Sequence, residues 1–260
     1  MSAKGHVSTR DADGVGVITI SRPDKLNALD RATRAQLLAA FEAMAGNPKV
    51  RVVVLTGTGK AFVSGADVSE FVGKKPMDIL GELLHEPSIF EAADALPKPL
   101  IAMINGYCLA SGNELAMACD IRIASEEAKF GQPEVNLGMM PGGGATQRLP
   151  RLVGFGKALM IMYTGQILDS TEALRVGLVD VVVPARQLEE RTMTLAKVIA
   201  TKSPMALAMI KEATRASLRA PLDQGIRREQ SLASVIFSSK DMQEGVKAFL
   251  EKRQPRFTGE

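Results

Sequence analysis

The chain has no tryptophan, two tyrosines, two histidines and two cysteines in 260 residues, and aromatic side chains make up only 4% of it. Each shortage excludes something. Cys108 and Cys119 cannot build a disulfide framework, form no C-x-x-C pair and sit in apolar stretches, so they read as buried free thiols in a reducing compartment. Histidine occurs only as His6, expected in a frayed terminus, and His85. A histidine-built metal centre or a Ser-His-Asp triad has nothing to stand on. The longest uncharged stretch, Pro99 to Asn113, contains proline, asparagine and glycine and falls short of the about 20 apolar residues that cross a bilayer. Met1 to Arg10 has no apolar segment behind its basic residues, so neither a secretory signal nor a long transit peptide is expected there. Charge of neither sign dominates: 32 Lys and Arg against 29 Asp and Glu leave a net charge of +3, too small and too evenly mixed for nucleic-acid binding. The expectation is a cytoplasmic protein with no nucleic acid and no membrane among its partners.

What the chain does have is apolar bulk. Hydrophobic residues are 46% of the sequence and charged ones 23%, enough for a sizeable core. At roughly 150 residues per domain, the length allows one large domain or a domain with an appendage. Val15 to Ile20 alternates small or polar with β-branched positions and turns at Ser21-Arg22-Pro23, which predicts a strand. Asp30 is placed to cap a helix through Leu37, Leu38, Phe41 and Met44 that ends at Gly46. Val50 to Leu55 and Pro99 to Asn105 are nearly continuous apolar runs, as in strands covered on both faces. Strand, helix and buried strand in this order predict an α/β core.

Two regions depart from that pattern. Between the buried strands, Lys74 to Ala95 carries Pro76 and Pro87, which break its helical periodicity and suggest a mobile or substrate-shaping segment. Beyond Pro204, three helical patterns follow without a strand: Met205 to Leu218, Leu222 to Phe237 and Asp241 to Lys252. Such an appendage cannot bury its own apolar residues and must pack on the core or on another subunit.

Familiar chemical motifs are missing. There is no G-x-S-x-G; Gly154-Phe-Gly156 lacks the third glycine of a dinucleotide fingerprint, and Gly57-Thr-Gly-Lys60 lacks the spacing of a phosphate loop. What remains is glycine and glutamate. Ser64-Gly-Ala-Asp67 follows a buried strand with small residues that let a ligand approach the main chain, and also fits a plain capped turn. Ala110-Ser-Gly112 opens a short apolar helix in which Glu114 lies among Leu115, Met117 and Cys119. A carboxylate in that company is costly unless paired or used, and burial raises its pKa; on the solvated face of the helix it is unremarkable. Glu134 follows a proline in a loop after the strand-like Asp120 to Ala124, which can turn the chain back and bring the two carboxyls together. Alone, it reads as a surface acid. Pro141-Gly-Gly-Gly144 opens a further helix and exposes amides there.

In order and spacing, these pieces resemble the crotonase (enoyl-CoA hydratase/isomerase) superfamily, and within it the bacterial-type enoyl-CoA hydratases. The resemblance runs through Arg22-Pro-Asp-Lys-Leu-Asn-Ala-Leu29, Ser64-Gly-Ala-Asp67, Asn105-Gly-Tyr107, Glu114-Leu-Ala116, Phe130-Gly-Gln-Pro-Glu134, Pro141-Gly-Gly-Gly-Ala-Thr-Gln-Arg148 and a tail from Glu244 to Arg253. It implies an α/β fold, a crotonase-like spiral of ββα units over 1–200, with a C-terminal helical trimerisation region over 201–260, assembled as a homotrimer or a dimer of trimers. The implied reaction is reversible syn addition of water to a trans-2-enoyl-CoA, giving a 3-hydroxyacyl-CoA, a step used in fatty-acid β-oxidation and in other degradative routes. In that pattern the main-chain N–H groups of Ala66 and Ser111 form the oxyanion hole; most relatives have glycine where Ser111 stands. Glu114 orients and deprotonates the water, Glu134 gives a proton to C2, and Gly142 offers its amide to the same water.

The resemblance also places Lys25, Leu26, Lys60, Ala61, Ala66, Asp67 and Val68 along the CoA moiety. Phe249 and Lys252 match tail positions that reach a neighbouring subunit's ligand. Any one of these lysines, taken alone, reads as solvated surface. No metal, flavin or nicotinamide is implied, since CoA arrives as part of the substrate. The alternatives are another acyl-CoA enzyme of the superfamily (an isomerase, hydrolase or lyase) and a noncatalytic or RNA-binding crotonase-like protein. Retention of both Glu114 and Glu134 argues for the hydratase.

Overall fold

The computed structural model describes residues 5 to 260. It opens with a hairpin of β1 (Val7–Ala12) and β2 (Val15–Ile20), whose two-residue turn places Asp13 and Gly14 at positive φ, the conformation that matches the twist of paired strands. His6 is not frayed as expected. Its main-chain N–H donates to Gln36 Oε1 at 2.7 Å, and its ring nitrogen lies 3.0 Å from Thr33 Oγ1. Both partners belong to α1 (Arg31–Gly46), capped as predicted by Asp30, whose carboxylate accepts from the Thr33 N–H at 2.7 Å.

Two strands follow, β3 (Val52–Gly57) and β4 (Ala61–Val63). The segment expected to be broken by prolines forms two helices, α2 (Pro76–His85) and α3 (Ile89–Ala95), with Pro87 in the break between them. Pro76 stands in the first turn of α2, where a missing N–H loses no helical hydrogen bond, and Ser88 caps α3. The chain continues through β5 (Leu100–Ile104), β6 (Tyr107–Leu109), α4 (Ser111–Ala118), β7 (Ile121–Ser125), β8 (Lys129–Gly131), α5 (Ala145–Val153) and α6 (Phe155–Thr164). It then runs through β9 (Leu168–Asp169), α7 (Ser170–Arg175), β10 (Val181–Val183), α8 (Leu188–Ala200), α9 (Pro204–Ala216), α10 (Leu222–Ile236) and α11 (Lys240–Leu250).

From β3 to β8, consecutive strands alternate between two sheets. A six-stranded sheet has the order β1-β2-β3-β5-β7-β10 and a four-stranded sheet the order β4-β6-β8-β9. All neighbours are parallel except β1 with β2 and β8 with β9. The pairs β3–β4, β5–β6 and β7–β8 each place one strand in each sheet before the chain passes into helix, so the fold is the expected spiral of ββα units.

The apolar runs work as two-faced strands. In β3, Val53 and Leu55 face one cluster with Leu37 and Phe41 of α1 and Leu115 of α4. Val52 and Val54 face another, with Leu188, Ala196 and Ala200 of α8. Each such buried side chain contributes about 1.5–3 kcal/mol relative to exposure. Cys108 and Cys119 are buried free thiols, and burial pushes the Cys119 thiol up to about 12, which leaves it unreactive.

The three C-terminal helices occur where the sequence predicts them. α9 is fastened to the core: Lys211 pairs with Asp120 at 2.8 Å, and Arg215 donates to Asp120 at 2.7 Å and to the Ala118 carbonyl at 3.2 Å, at the end of α4. Neither α9 nor α10 has a fully buried residue, and Leu222, Phe237, Phe249 and Leu250 are exposed. No single helix among the described residues is long and apolar enough to cross a membrane.

Candidate active site

The site lies where the spiral brings the ends of β4, β6 and β8 together. The first donor segment is set by the Arg22–Leu29 loop. Leu26 and Asn27 adopt positive φ, which turns the buried Asn27 amide inward to donate to the carbonyls of Thr58 (2.9 Å) and Ala61 (2.7 Å) and to accept from Arg22 N–H (2.8 Å). Leu29 then forms a parallel bridge with Ala66: its N–H donates to Gly65 O at 2.9 Å, and its carbonyl accepts from Asp67 N–H at 3.0 Å. A parallel bridge of this kind uses the groups flanking the central residue. The Ala66 N–H is therefore turned away from Leu29 and has no acceptor among the described residues.

The second donor segment begins α4. Ala110 holds φ 47° and ψ −122°, a region that suits glycine and strains alanine by about 1–3 kcal/mol. This bend aims the first-turn N–H of Ser111 outward, where a helix supplies no internal acceptor. The two segments touch: a Cβ placed on Gly65 would stand 3.3 Å from Ala110 Cβ. The expected pair of donors, Ala66 and Ser111, is thus carried on two adjoining pieces of main chain.

Glu114, one turn into α4, is 2% exposed. Its Oε1 accepts from Gly143 N–H at 2.7 Å and from Ala145 N–H at 3.0 Å. Burial raises its pKa, while those two amides and the charge of Arg148 pull it back. Arg148 also donates to the Gly143 carbonyl at 3.1 Å, which fixes the peptide around that residue. Phe90 of α3 closes in beside the carboxylate, since a Cβ on Gly143 would meet its ring at 2.4 Å and Glu114 Oε2 at 2.6 Å.

Glu134 lies in a 3-10 turn, Pro133–Leu137, just after β8. Burial raises its carboxyl to about 7, and the charge of Glu114 pushes the same way. Its Oε2 is buried without a hydrogen-bond partner. Two carboxyls of unequal environment, one holding two N–H donors and the other none from a neighbouring segment, are the arrangement that separates a base from an acid.

The remaining predicted residues distribute unevenly. Lys25 and Lys60 are exposed on neighbouring turns, where a Cβ on Gly59 would stand 3.5 Å from Pro23, and neither is in an ion pair among the described residues. Leu26 and Val68 are exposed as well. Ala61 is fully buried, its carbonyl taken by Asn27 and Asn105. The Asp67 carboxylate is engaged by Arg22 at 3.2 Å and by the Ser69 hydroxyl at 2.7 Å, so what it offers outward is main chain. Phe249 and Lys252, exposed at the end of α11, form no hydrogen bond with the donor segments. Gly142 is exposed, and the amides that meet Glu114 belong to Gly143 and Ala145. Those two residues, with Arg148, Phe90 and Gln132, escape sequence reasoning, because a glycine run does not reveal which of its amides faces inward.

Fold and site define an acyl-CoA enzyme scaffold, and the chain belongs to the enoyl-CoA hydratase/isomerase family, whose profile matches residues 10–260. It is 39% identical over 244 residues to the crotonyl-CoA hydratase of Syntrophomonas wolfei, covering 94% of each chain. It is 40% identical over 246 residues to the short-chain-enoyl-CoA hydratase of Clostridium acetobutylicum, covering 92% of each. The crystal structure of enoyl-CoA hydratase from Bacillus anthracis superposes with a TM-score of 0.94 at 38% identity, covering 98% of this chain and all of that one.

Proposed function

We propose that the protein is an enoyl-CoA hydratase that adds water reversibly across the 2,3-double bond of a trans-2-enoyl-CoA. The observation that carries this reading is the unequal pair Glu114 and Glu134 beside the two unengaged amides of Ala66 and Ser111. Attack of water on C3 places negative charge on the thioester oxygen. A fixed N–H donor aimed at such an oxygen is typically worth about 2.7–4 kcal/mol of barrier, and neither amide changes protonation state.

Proton traffic falls to the carboxyls. Glu114, on which burial raises the pKa and the Gly143 and Ala145 amides act against that rise, takes the proton of the attacking water. Glu134, whose carboxyl is raised to about 7, delivers a proton to C2. In dehydration the two exchange roles. Positioned acid–base groups typically contribute 10²–10⁴-fold each, so Glu114→Gln and Glu134→Gln should each lower crotonyl-CoA hydration by about that factor while both variants stay folded. Identification of 3-hydroxybutyryl-CoA as the product supports the hydratase; a migrated double bond or free CoA instead would overturn it.

The substrate's CoA group runs past Lys25 and Lys60, whose exposed ammonium groups complement its phosphates. The unpartnered apolar faces of α10 and α11 support a homotrimer or dimer of trimers, in which Phe249 and Lys252 reach a neighbouring subunit's ligand. Sedimentation of the intact protein tests that assembly. A cytoplasmic location and a place in fatty-acid β-oxidation follow the same reading.

A further inference from the structure

Gln132 is fully buried at the end of β8, two residues before Glu134. Its amide has one orientation that suits its surroundings. With the nitrogen turned to the main chain, it donates to the Gly131 carbonyl at 2.8 Å and the Ala110 carbonyl at 3.1 Å. The reverse orientation presses the amide oxygen against both carbonyl oxygens, which no hydrogen relieves. Asn113 Nδ2 lies 3.2 Å from the same end, and turning the Asn113 amide so that its otherwise unpartnered oxygen faces Gln132 removes the contact between two donors.

The other end of the amide stands 3.5 Å from Glu134 Oε1. In the satisfied orientation that end is oxygen. Such a separation is too long for a strong hydrogen bond but short enough for the amide dipole to act in a buried site. A carboxylate facing the negative end of a dipole is disfavoured, and a carboxylic acid, which can donate, is favoured.

We propose that Gln132 is a positioning residue whose amide oxygen holds Glu134 in its proton-donating form while its nitrogen fixes the peptide that carries the Ser111 oxyanion donor. This rests on the hydratase reading, in which Glu134 is the acid. The second half follows from covalent geometry: the Ala110 carbonyl and the Ser111 N–H belong to one planar peptide and point in opposite directions. Anchoring the carbonyl on Gln132 aims the N–H away from it.

The charged groups around Glu134 leave room for this role. Glu114 on α4 pushes in the same direction. Arg148 on α5 engages the Gly143 carbonyl and acts on Glu114. Lys157 on α6 is held by Glu172 at 2.6 Å, and Tyr163 on the same helix is exposed. Lys129 lies at the opposite end of β8, across from Asp169 of β9.

The test is the pH dependence of kcat/KM for crotonyl-CoA hydration by the full-length protein and by Gln132→Met. The alkaline limb, which reports loss of the acid's proton, should move to lower pH by on the order of one unit, with kcat reduced. An unmoved limb overturns the proposal, as does a limb displaced to higher pH, the result expected if an N–H had faced the carboxylate. Neutron diffraction from the deuterated wild-type protein decides the same point without a variant. Deuterons on the atom facing Gly131 and Ala110 support the assignment, and deuterons on the atom facing Glu134 overturn it. The hydratase reading fails separately, through absence of crotonyl-CoA hydration by the wild type.

Discussion

The N–H of Gly143 donates to Glu114 Oε1 at 2.7 Å, and the Cα of Gly143 approaches so closely that a Cβ would lie 2.6 Å from the other carboxylate oxygen. The carboxylate and the chain entering α5 are therefore built as one unit: any side chain at position 143 must move Glu114, Phe90 or the main chain.

Gly143→Ala is expected to lower hydration by about 10²-fold or more, because displacing a catalytic group by an ångström costs about that much. The unfolding midpoint should fall as well, since the added methyl meets the Phe90 ring and the buried Glu114 carboxylate, and overpacking of this kind typically costs about 1–3 kcal/mol. Steady-state kinetics beside a thermal melt separate the two. Wild-type kcat in this variant would show that Glu114 tolerates displacement.

Glu134 makes stability depend on pH. Its carboxyl is raised to about 7 from an unfolded value near 4.5. Between these values the folded protein keeps a proton that the unfolded chain has lost, so stability falls as pH rises through the window and levels off above it. Glu134→Gln removes the titration. The variant should gain on the order of 1–2 kcal/mol relative to wild type between pH 4.5 and pH 8, after allowance for the carboxyl's partial exposure. Denaturant midpoints at the two pH values check this; equal differences at both would place the titration elsewhere.

Ala110 carries backbone strain at φ 47° and ψ −122°. Ala110→Gly should raise stability by about 1 kcal/mol or more, which for a chain of this size is roughly 2–4 °C in the melting midpoint. A lower midpoint would mean that the neighbouring packing already accommodates the alanine.

Much of this architecture was legible from residue patterns, and the parts that were not have physical reasons. Val50 to Leu55 announces a strand covered twice because every position is apolar, and alternate side chains do face opposite clusters. Asp30 announces α1 because a carboxylate can take the Thr33 N–H. The strands of the smaller sheet, such as Ala61–Val63 and Tyr107–Leu109, span three residues each, too few to show a period. Pro76 looks like an interruption because sequence alone does not tell a breaker from a first-turn residue, whereas Pro87 does fall in the break between α2 and α3. His6 looks terminal, yet Thr33 and Gln36 of a later helix hold it.

Within the site, Glu114 was legible as a carboxylate stranded among apolar neighbours, and Glu134 only through its place in a family pattern. Gly143, Ala145 and Gln132 were not, because a main-chain donor or a buried amide acts through orientation, which residue identity does not encode.

The central claim is that Glu134 moves the C2 proton while Glu114 handles water. Butyryl-CoA, which has no double bond to hydrate and no hydroxyl to lose, isolates the first of these tasks. In D₂O, wild type and Glu114→Gln should both exchange the C2 proton for deuterium, observed by mass or proton NMR, and Glu134→Gln should not. Exchange at the wild-type rate by Glu134→Gln, with loss of exchange in Glu114→Gln, would contradict the account and reverse the roles of the two carboxyls.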